Sequence, residues 1–292
     1  MPAQEDPVQQ DDRSLKGRTM IMSGGSRGIG LAIALRAAAD GANIAIIAKT
    51  AEPHPKLEGT IYTAAEAIED AGGRALPIIG DVRNDEDIAR AVEMTVEQFG
   101  GIDICVNNAS AINLAGVDDL AMKGYDLMQD INVRGSYALS KAAVPHLRQG
   151  TNPHILTLSP PITLEPRWLA PHTAYTIAKY GMTLCALGLA EELRPAGIAS
   201  NALWPRTLVA TAAVQNLLGG EAAMNQARTP AIYADAAHVV LTSDARATTG
   251  QALLCEDVLV GAGVSDLGPY SNGSAGDLAV DLFVDEVNPP GY

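Results

Sequence analysis

Between Lys16 and about Glu256, short aliphatic runs alternate with stretches whose apolar residues recur at helical spacing. The runs TMIMS (19–23), NIAIIA (43–48), ALPIIG (75–80), IDICVN (102–107), HILTLS (154–159), IASNAL (198–203) and QALLCE (251–256) read as strands. Helical patterns fill the gaps at 29–39, 62–71, 85–99, 125–147, 173–193 and roughly 231–243. Strands that are apolar on both faces and separated by helices must pair in parallel through helical crossovers. The expected fold class is therefore α/β, a doubly wound parallel seven-stranded sheet in a single domain.

Three stretches break this rhythm. Residues 1–15 are polar and acidic and read as a flexible tail ahead of a 16–260 domain. Residues 160–173 (PPITLEPRWLAPHT) carry four prolines and predict no regular element. Residues 261–292, rich in Gly, Pro, Asp and Ser, form a C-terminal extension that either wraps the domain or stays loose. Within it, LAVDLFVDE (278–286) alternates apolar and acidic residues, as an edge strand would.

Composition narrows the function classes. Hydrophobic residues make up 47% of the chain but aromatics only 4%, so Ala, Val, Ile and Leu must build the core. A net charge of -14 argues against a nucleic-acid partner, which needs clustered Lys and Arg. Cys105, Cys185 and Cys255 are scattered and lack CxxC spacing, which predicts a reduced, cytoplasmic setting. No apolar run is long enough for a membrane span, and the N-terminus has the wrong composition for a signal peptide. His54, His146, His154, His172 and His238 show no metal-ligand spacing, so no metal site is expected.

Chemistry first shows at the end of the first strand, which runs into Ser23-Gly24-Gly25-Ser26-Arg27-Gly28-Ile29-Gly30. Glycine suits a tight strand-to-helix turn and close approach of backbone to a pyrophosphate. The following helix offers free N–H groups and a partial positive charge to that pyrophosphate. Such a turn alone is also compatible with simple chain reversal; its place between strand and helix makes the sheet Rossmann-type and predicts a dinucleotide cofactor. An NAD enzyme typically carries an acid at the end of the second strand, about 20 residues on. Here the residues are Ala48-Lys49-Thr50. Lys49 attracts a 2′-phosphate and Arg27 can clamp one, so NADP(H) is favoured over NAD(H). Solvated surface charge is the alternative reading of both residues.

Further residues follow in a telling order. Asn107-Asn108-Ala109-Ser110 follows the fourth strand, Asn132 lies in the next helical stretch, and Ser159 ends the fifth strand. Tyr175-Thr176-Ile177-Ala178-Lys179 opens the helix after that. This set resembles the short-chain dehydrogenase/reductase family over roughly residues 16 to 260. The longer strings AKTAEPHPKLEGTIYTAAE (48–66), LSPPITLEP (158–166), AYTIAKYGM (174–182) and NALWPRT (201–207) look like its hydroxysteroid-dehydrogenase-like branch. Eukaryotic members of that branch often carry a C-terminal sterol-carrier domain, for which this chain leaves no room, so a stand-alone relative is expected.

Tyr175 and Lys179 are four residues apart and share a helix face. A nearby ammonium favours the phenolate and brings a phenol toward working pH. The resemblance implies that Ser159 holds the substrate oxygen, Tyr175 transfers the proton, Lys179 also binds the nicotinamide ribose, and Asn132 positions a water. It also implies cofactor contacts from Ser23, Gly24, Ser26, Arg27, Gly28, Ile29, Gly30, Asp81, Val82, Asn107, Ala109, Pro205 and Leu208, besides Lys49. A small-molecule substrate, hydrophobic or lipid-like, and a homodimer or homotetramer are implied too.

Two departures from the family pattern stand out. Pro205-Arg206-Thr207 replaces the usual Pro-Gly, and Arg206 either reaches an acidic substrate group or points to solvent. The Ser159–Tyr175 separation is about three residues longer than usual, which places Trp168 and His172 in a loop at the substrate mouth. A non-catalytic dinucleotide sensor on the same fold is the rival reading.

Overall fold

A computed structural model describes residues 13–53, 59–273 and 277–290. The expected N-terminal tail up to residue 12, His54 and residues 291–292 of the extension lie outside the described residues. The seven strands are β1 (Thr19–Ser23), β2 (Asn43–Ala48), β3 (Arg74–Ile79), β4 (Ile104–Asn107), β5 (His154–Leu158), β6 (Ala199–Trp204) and β7 (Ala252–Leu254). They form one all-parallel sheet in the order β3-β2-β1-β4-β5-β6-β7. The doubly wound Rossmann-type α/β expectation thus holds.

Side-chain alternation along the strands feeds two cores. Met20, Met22, Ile44, Ile46, Val106 and Leu156 face α1 (Gly28–Ala39) and α10 (Ala231–Thr242). On the opposite face, Ile21, Ala45, Ile47, Cys105 and Ile155 meet α3 (Asp85–Phe99), α5 (Gly135–Leu147) and α7 (Thr173–Leu193). The sheet is therefore covered on both sides, which leaves its carboxyl edge as the place for a ligand. Strand order reverses between β1 and β4, and the loops leaving these two strands part there into a crevice.

Several expectations need correction. Leu15 is fully buried and its N–H donates to Asp40, so the chain is already anchored before residue 16. The helix expected over 125–147 starts earlier, as α4 (Met122–Met128), and passes through a π-helical turn, Gln129–Arg134, before α5. The Pro-rich 160–173 loop holds one regular turn, α6 (Pro166–Leu169), whose first residue is the proline that a helix start tolerates. After β2 comes α2 (Ile61–Asp70); after β6 come the short helices α8 (Ala212–Leu217) and α9 (Gly220–Asn225).

The last strand is three residues long because the chain turns into α11 (Cys255–Gly261) at Cys255. That turn sends Glu256 inward, where it accepts from the Arg206 N–H at 2.8 Å and lies 3.5 Å from Arg228 Nε. Beyond α11 the extension wraps the domain and is not an edge strand. Among its described residues Ser271 and Val280 make single bridges, antiparallel to Arg228 and Thr207, and Phe283 then turns the chain at φ 70°. Among the described residues no helix is long and apolar enough to cross a membrane.

Candidate active site

The Gly-rich turn is shaped by the loop that follows β4. A Cβ on Gly30 would lie 2.5 Å from Asn108 Nδ2 and 2.8 Å from the Gly25 Cα. A Cβ on Gly24, at φ 76°, would clash with the same Asn108 amide. Asn108 is held there by donating from Nδ2 to the Ser23 carbonyl at 3.1 Å. The Ser23 hydroxyl accepts from the N–H groups of Asn108 and Ala109 at 3.2 and 3.1 Å. Ser23 therefore ties the two crevice loops together instead of facing the crevice.

The crevice is a cleft of about 560 Å³ lined by Gly24, Ser26, Arg27, Gly28, Ile29, Lys49, Asp81, Val82 and Ala109, among others. Arg27 caps α1 without any side-chain cap bond, so the first N–H groups of that helix are open to an anion. The Arg27 guanidinium donates to the Gly59 carbonyl at 2.8 Å. Lys49 is half-exposed, 3.4 Å from Asp81. The Arg83 side chain, bonded to Asp81, holds that carboxyl down at about 2 against the opposing effect of burial. The cleft thus carries two cations beside one carboxylate that is already paired.

Next to it lies a smaller cavity of about 190 Å³, which shares Ile29, Asn108, Ser110 and Ala213 with the cleft. Tyr175 and Lys179 both face it, from one side of α7 as their spacing predicts, and Pro205 lines it from the end of β6. Lys179 Nζ donates to the Leu158 carbonyl at 2.9 Å and sits 5.0 Å above the Trp204 ring. Burial pushes this amine down to about 7, with Asp281 opposing. Burial, helped by Asp281, pushes the Tyr175 phenol up. Among the described residues its hydroxyl has no hydrogen-bond partner.

Other expected residues sit behind the site. Ser159 is fully buried and does not line the cavity; its Oγ lies 2.9 Å from Thr183 Oγ1, which donates to the Pro160 carbonyl at 2.6 Å. Asn107 is sealed in the sheet, donating to Ser140 and Thr157. Asn132 is buried in the π-helical turn, where its amide pairs with both the N–H and the C=O of Ala111. Leu208 donates its N–H to the Ala279 carbonyl at 3.0 Å and its C=O accepts from Arg228, so neither group is open to a carboxamide. Of the two threonines after Pro205, Thr211 faces the cleft and Thr207 is buried.

The C-terminal extension supplies the roof, which sequence reasoning missed. Phe283, 3% exposed, packs its ring against His172, Tyr175, Tyr180, Trp204 and Trp168. Asp281 lines the cavity beside Tyr175 and Lys179. Arg206 takes neither expected course: its guanidinium grips Asp257 in a bidentate pair, and its carbonyl accepts from the Asp281 N–H at 2.9 Å. The acidic pair Glu256–Asp257 was the only sequence signal for this anchor.

A short-chain dehydrogenase family model, described as enoyl-(acyl carrier protein) reductase, matches residues 24–257. The chain belongs to the short-chain dehydrogenase/reductase family, oxidoreductases of CH–OH and C=O groups. It is similar, at 54% identity over 276 residues, to hydroxysteroid dehydrogenase-like protein 2 of Danio rerio, covering 94% of this chain and 66% of that protein. The chain thus spans about two thirds of that curated relative's length. A short-chain dehydrogenase from Mycobacterium thermoresistibile superposes with a TM-score of 0.91 at 66% identity, over 96% of this chain and 99% of that one. Carveol dehydrogenase from Mycobacterium avium, solved in complex with NAD, gives 0.72 at 27% identity over 82% and 96%.

Proposed function

We propose that the chain is an NADP(H)-dependent oxidoreductase that moves hydride between nicotinamide and a carbonyl or alcohol substrate of hydrophobic character. The observation that carries this reading is the placement of Tyr175 and Lys179 in one cavity that opens onto the cleft of the Gly-rich turn. When bound, the dinucleotide supplies the hydride. The chain's own residues do the rest. The open N–H groups at the start of α1 would hold the pyrophosphate, and Val82 and Ala109, which line the same cleft, would contact the adenosine. Arg27 and Lys49 are the cations available to a 2′-phosphate. Tyr175 exchanges the proton with the substrate oxygen, and Lys179 lowers the phenol's pKa and meets the nicotinamide ribose.

Ser159 acts from behind the site. With Thr183 it fixes the Leu158–Pro160 turn, whose Leu158 carbonyl holds Lys179. Asn132 fixes Ala111, next to the cavity residues Ser110 and Ile112. Apolar groups of Ile29, Ile112, Leu158 and Trp204 support a hydrophobic substrate. Exposed Tyr137 on α5 and Ile177 and Leu184 on α7 support a homodimer or homotetramer through those helices, in a cytoplasmic protein.

Calorimetric titration of NADPH and NADH into wild type and Lys49→Ala tests the reading. Tighter binding of NADPH, with the preference lost in Lys49→Ala, is the expected outcome. Equal or tighter NADH binding overturns the cofactor choice, for which the NAD complex of the carveol dehydrogenase is the counter-example. Binding of cofactor without turnover of any carbonyl or alcohol would favour a dinucleotide sensor.

A further inference from the structure

The small cavity is lined by one cation, Lys179, and one carboxylate, Asp281. The groups in direct contact with the Lys179 ammonium are neutral: the Leu158 carbonyl at 2.9 Å, the Met182 sulfur at 3.7 Å and the Trp204 ring. A buried ammonium among neutral groups sheds its proton unless an opposite charge stands near. Asp281 is fixed firmly enough to be that charge. Its N–H donates to the Arg206 carbonyl at 2.9 Å, and its Oδ1 accepts from the Leu282 N–H at 2.7 Å. Its neighbours are pinned too, Val280 by its bridge to Thr207 and Leu282 by the bond its carbonyl accepts from Trp204 Nε1 at 3.0 Å.

We propose that Asp281, carried into the cavity by the C-terminal extension, is a positioning residue of the reaction: it is the counter-charge that keeps Lys179 an ammonium in the closed site. Tyr175 then meets a charged partner only while the roof is in place, so closure of the extension and readiness of the acid–base pair are one event. Burial pushes Lys179 down to about 7 and Asp281 up to about 7; within that, each opposes the other's shift, Asp281 raising Lys179 and Lys179 lowering Asp281, while Asp281 also adds to the rise of the Tyr175 phenol. The other ionisable groups around the pair are Tyr175 on α7, Tyr233 on α10, and Cys255 and Glu256 at the start of α11. Glu256 works against ionisation of Asp281, but Arg228 and the Arg206 N–H engage it.

The inference rests on reading Tyr175 and Lys179 as the acid–base pair, yet it is testable without turnover. The Lys179 side chain is titrated by carbon NMR in wild type, Asp281→Asn and Asp281→Glu, with Lys179→Arg assigning the signal. Asn keeps the acceptor for the Leu282 N–H, so the roof's fastening is conserved. The expected result is a fall of the Lys179 midpoint by about one pH unit in Asp281→Asn, a roughly tenfold larger neutral fraction, with Asp281→Glu restoring it. A midpoint that stays in place overturns the proposal. Should Asp281→Asn not fold, the reciprocal arm decides, since coupling between two sites is mutual: Lys179→Met must raise the Asp281 carboxyl midpoint, and an unmoved carboxyl is equally fatal. Failure of the acid–base reading itself would show differently, as turnover that survives Tyr175→Phe, or as dinucleotide binding without turnover of any carbonyl or alcohol, whatever the Lys179 midpoint does.

Discussion

The indole Nε1 of Trp204 donates to the carbonyl of Leu282, 78 positions further along the chain, across 3.0 Å. That bond fastens the C-terminal extension to the end of β6, where the sheet presents its carboxyl edge. Around it Phe283 closes the aromatic cluster that includes Tyr175. The small cavity is thus made of the sheet's edge below and the extension above.

The roof depends on Arg206. Replacing it with the glycine usual in the family removes the bidentate bond to Asp257 and the guanidinium bond to the Glu286 carbonyl, while the backbone bond from the Asp281 N–H to the carbonyl of residue 206 stays. Arg206→Gly is expected to cost about 1–3 kcal/mol of stability. Limited proteolysis should cut the extension faster than in wild type; an unchanged cleavage rate would show that the aromatic cluster alone holds it.

Gly30→Ala places a methyl group against Asn108 Nδ2 and the Gly25 backbone. The side chain can yield; the backbone cannot without opening the turn. We expect a loss of about 1–3 kcal/mol in stability and at least a tenfold weaker NADPH titration. Adding Asn108→Ala should restore only part of the binding, because the Gly25 contact persists.

Ser159 and Tyr175 should separate cleanly on mutation. Tyr175→Phe removes the proton carrier and is expected to lower turnover by about 100-fold or more in NADPH-consumption assays over a panel of aldehydes and ketones. Ser159→Ala removes a buried bond to Thr183 and should cost about 1 kcal/mol of stability while changing turnover far less. A Ser159→Ala loss as deep as that of Tyr175→Phe would mean the serine reaches the substrate after all.

Acid sensitivity should centre on His154. Burial drives this imidazole down to about 4, and its Nε2 faces the Ser243 carbonyl at 3.1 Å. The unfolded chain takes up the proton near 6.5. The folded state therefore binds fewer protons between these values, and stability is full above about 6.5 and falls as pH drops toward 4, by about 3 kcal/mol in all. Denaturant melts of His154→Asn at a series of pH values should show a flatter slope in that window than wild type.

Much of this architecture could be read from local signals. Strands buried on both faces announce themselves as aliphatic runs, and β1 and β2 were expected at the bounds they occupy. The Gly-rich turn and the Tyr175–Lys179 pair are likewise contiguous in sequence. What escaped is non-local. Asp281 and Phe283 sit in a run whose apolar–acidic alternation mimics an edge strand, and only the distant Trp204 and Arg206 decide otherwise. The family resemblance implied that Ser159 holds the substrate oxygen, whereas its hydroxyl here lies against Thr183 on α7, a partner that is remote in sequence. Asn108 was passed over for its neighbours because its task, filling the space two glycines leave, exists only when the β1 and β4 loops lie side by side.

The roofing by residues 280–284 makes this stretch a sensitive place for protein engineering. Past the roof the chain stays fastened to the domain, with Asp285 gripped by Arg167 and Trp168 and Asn288 bound to Arg228. A fluorophore, tag or second module joined after residue 290 would pull on the same segment whose Asp281 lines the small cavity and whose Phe283 closes its aromatic cluster. Cargo at that end would report on each opening of the roof, and would also weigh on it.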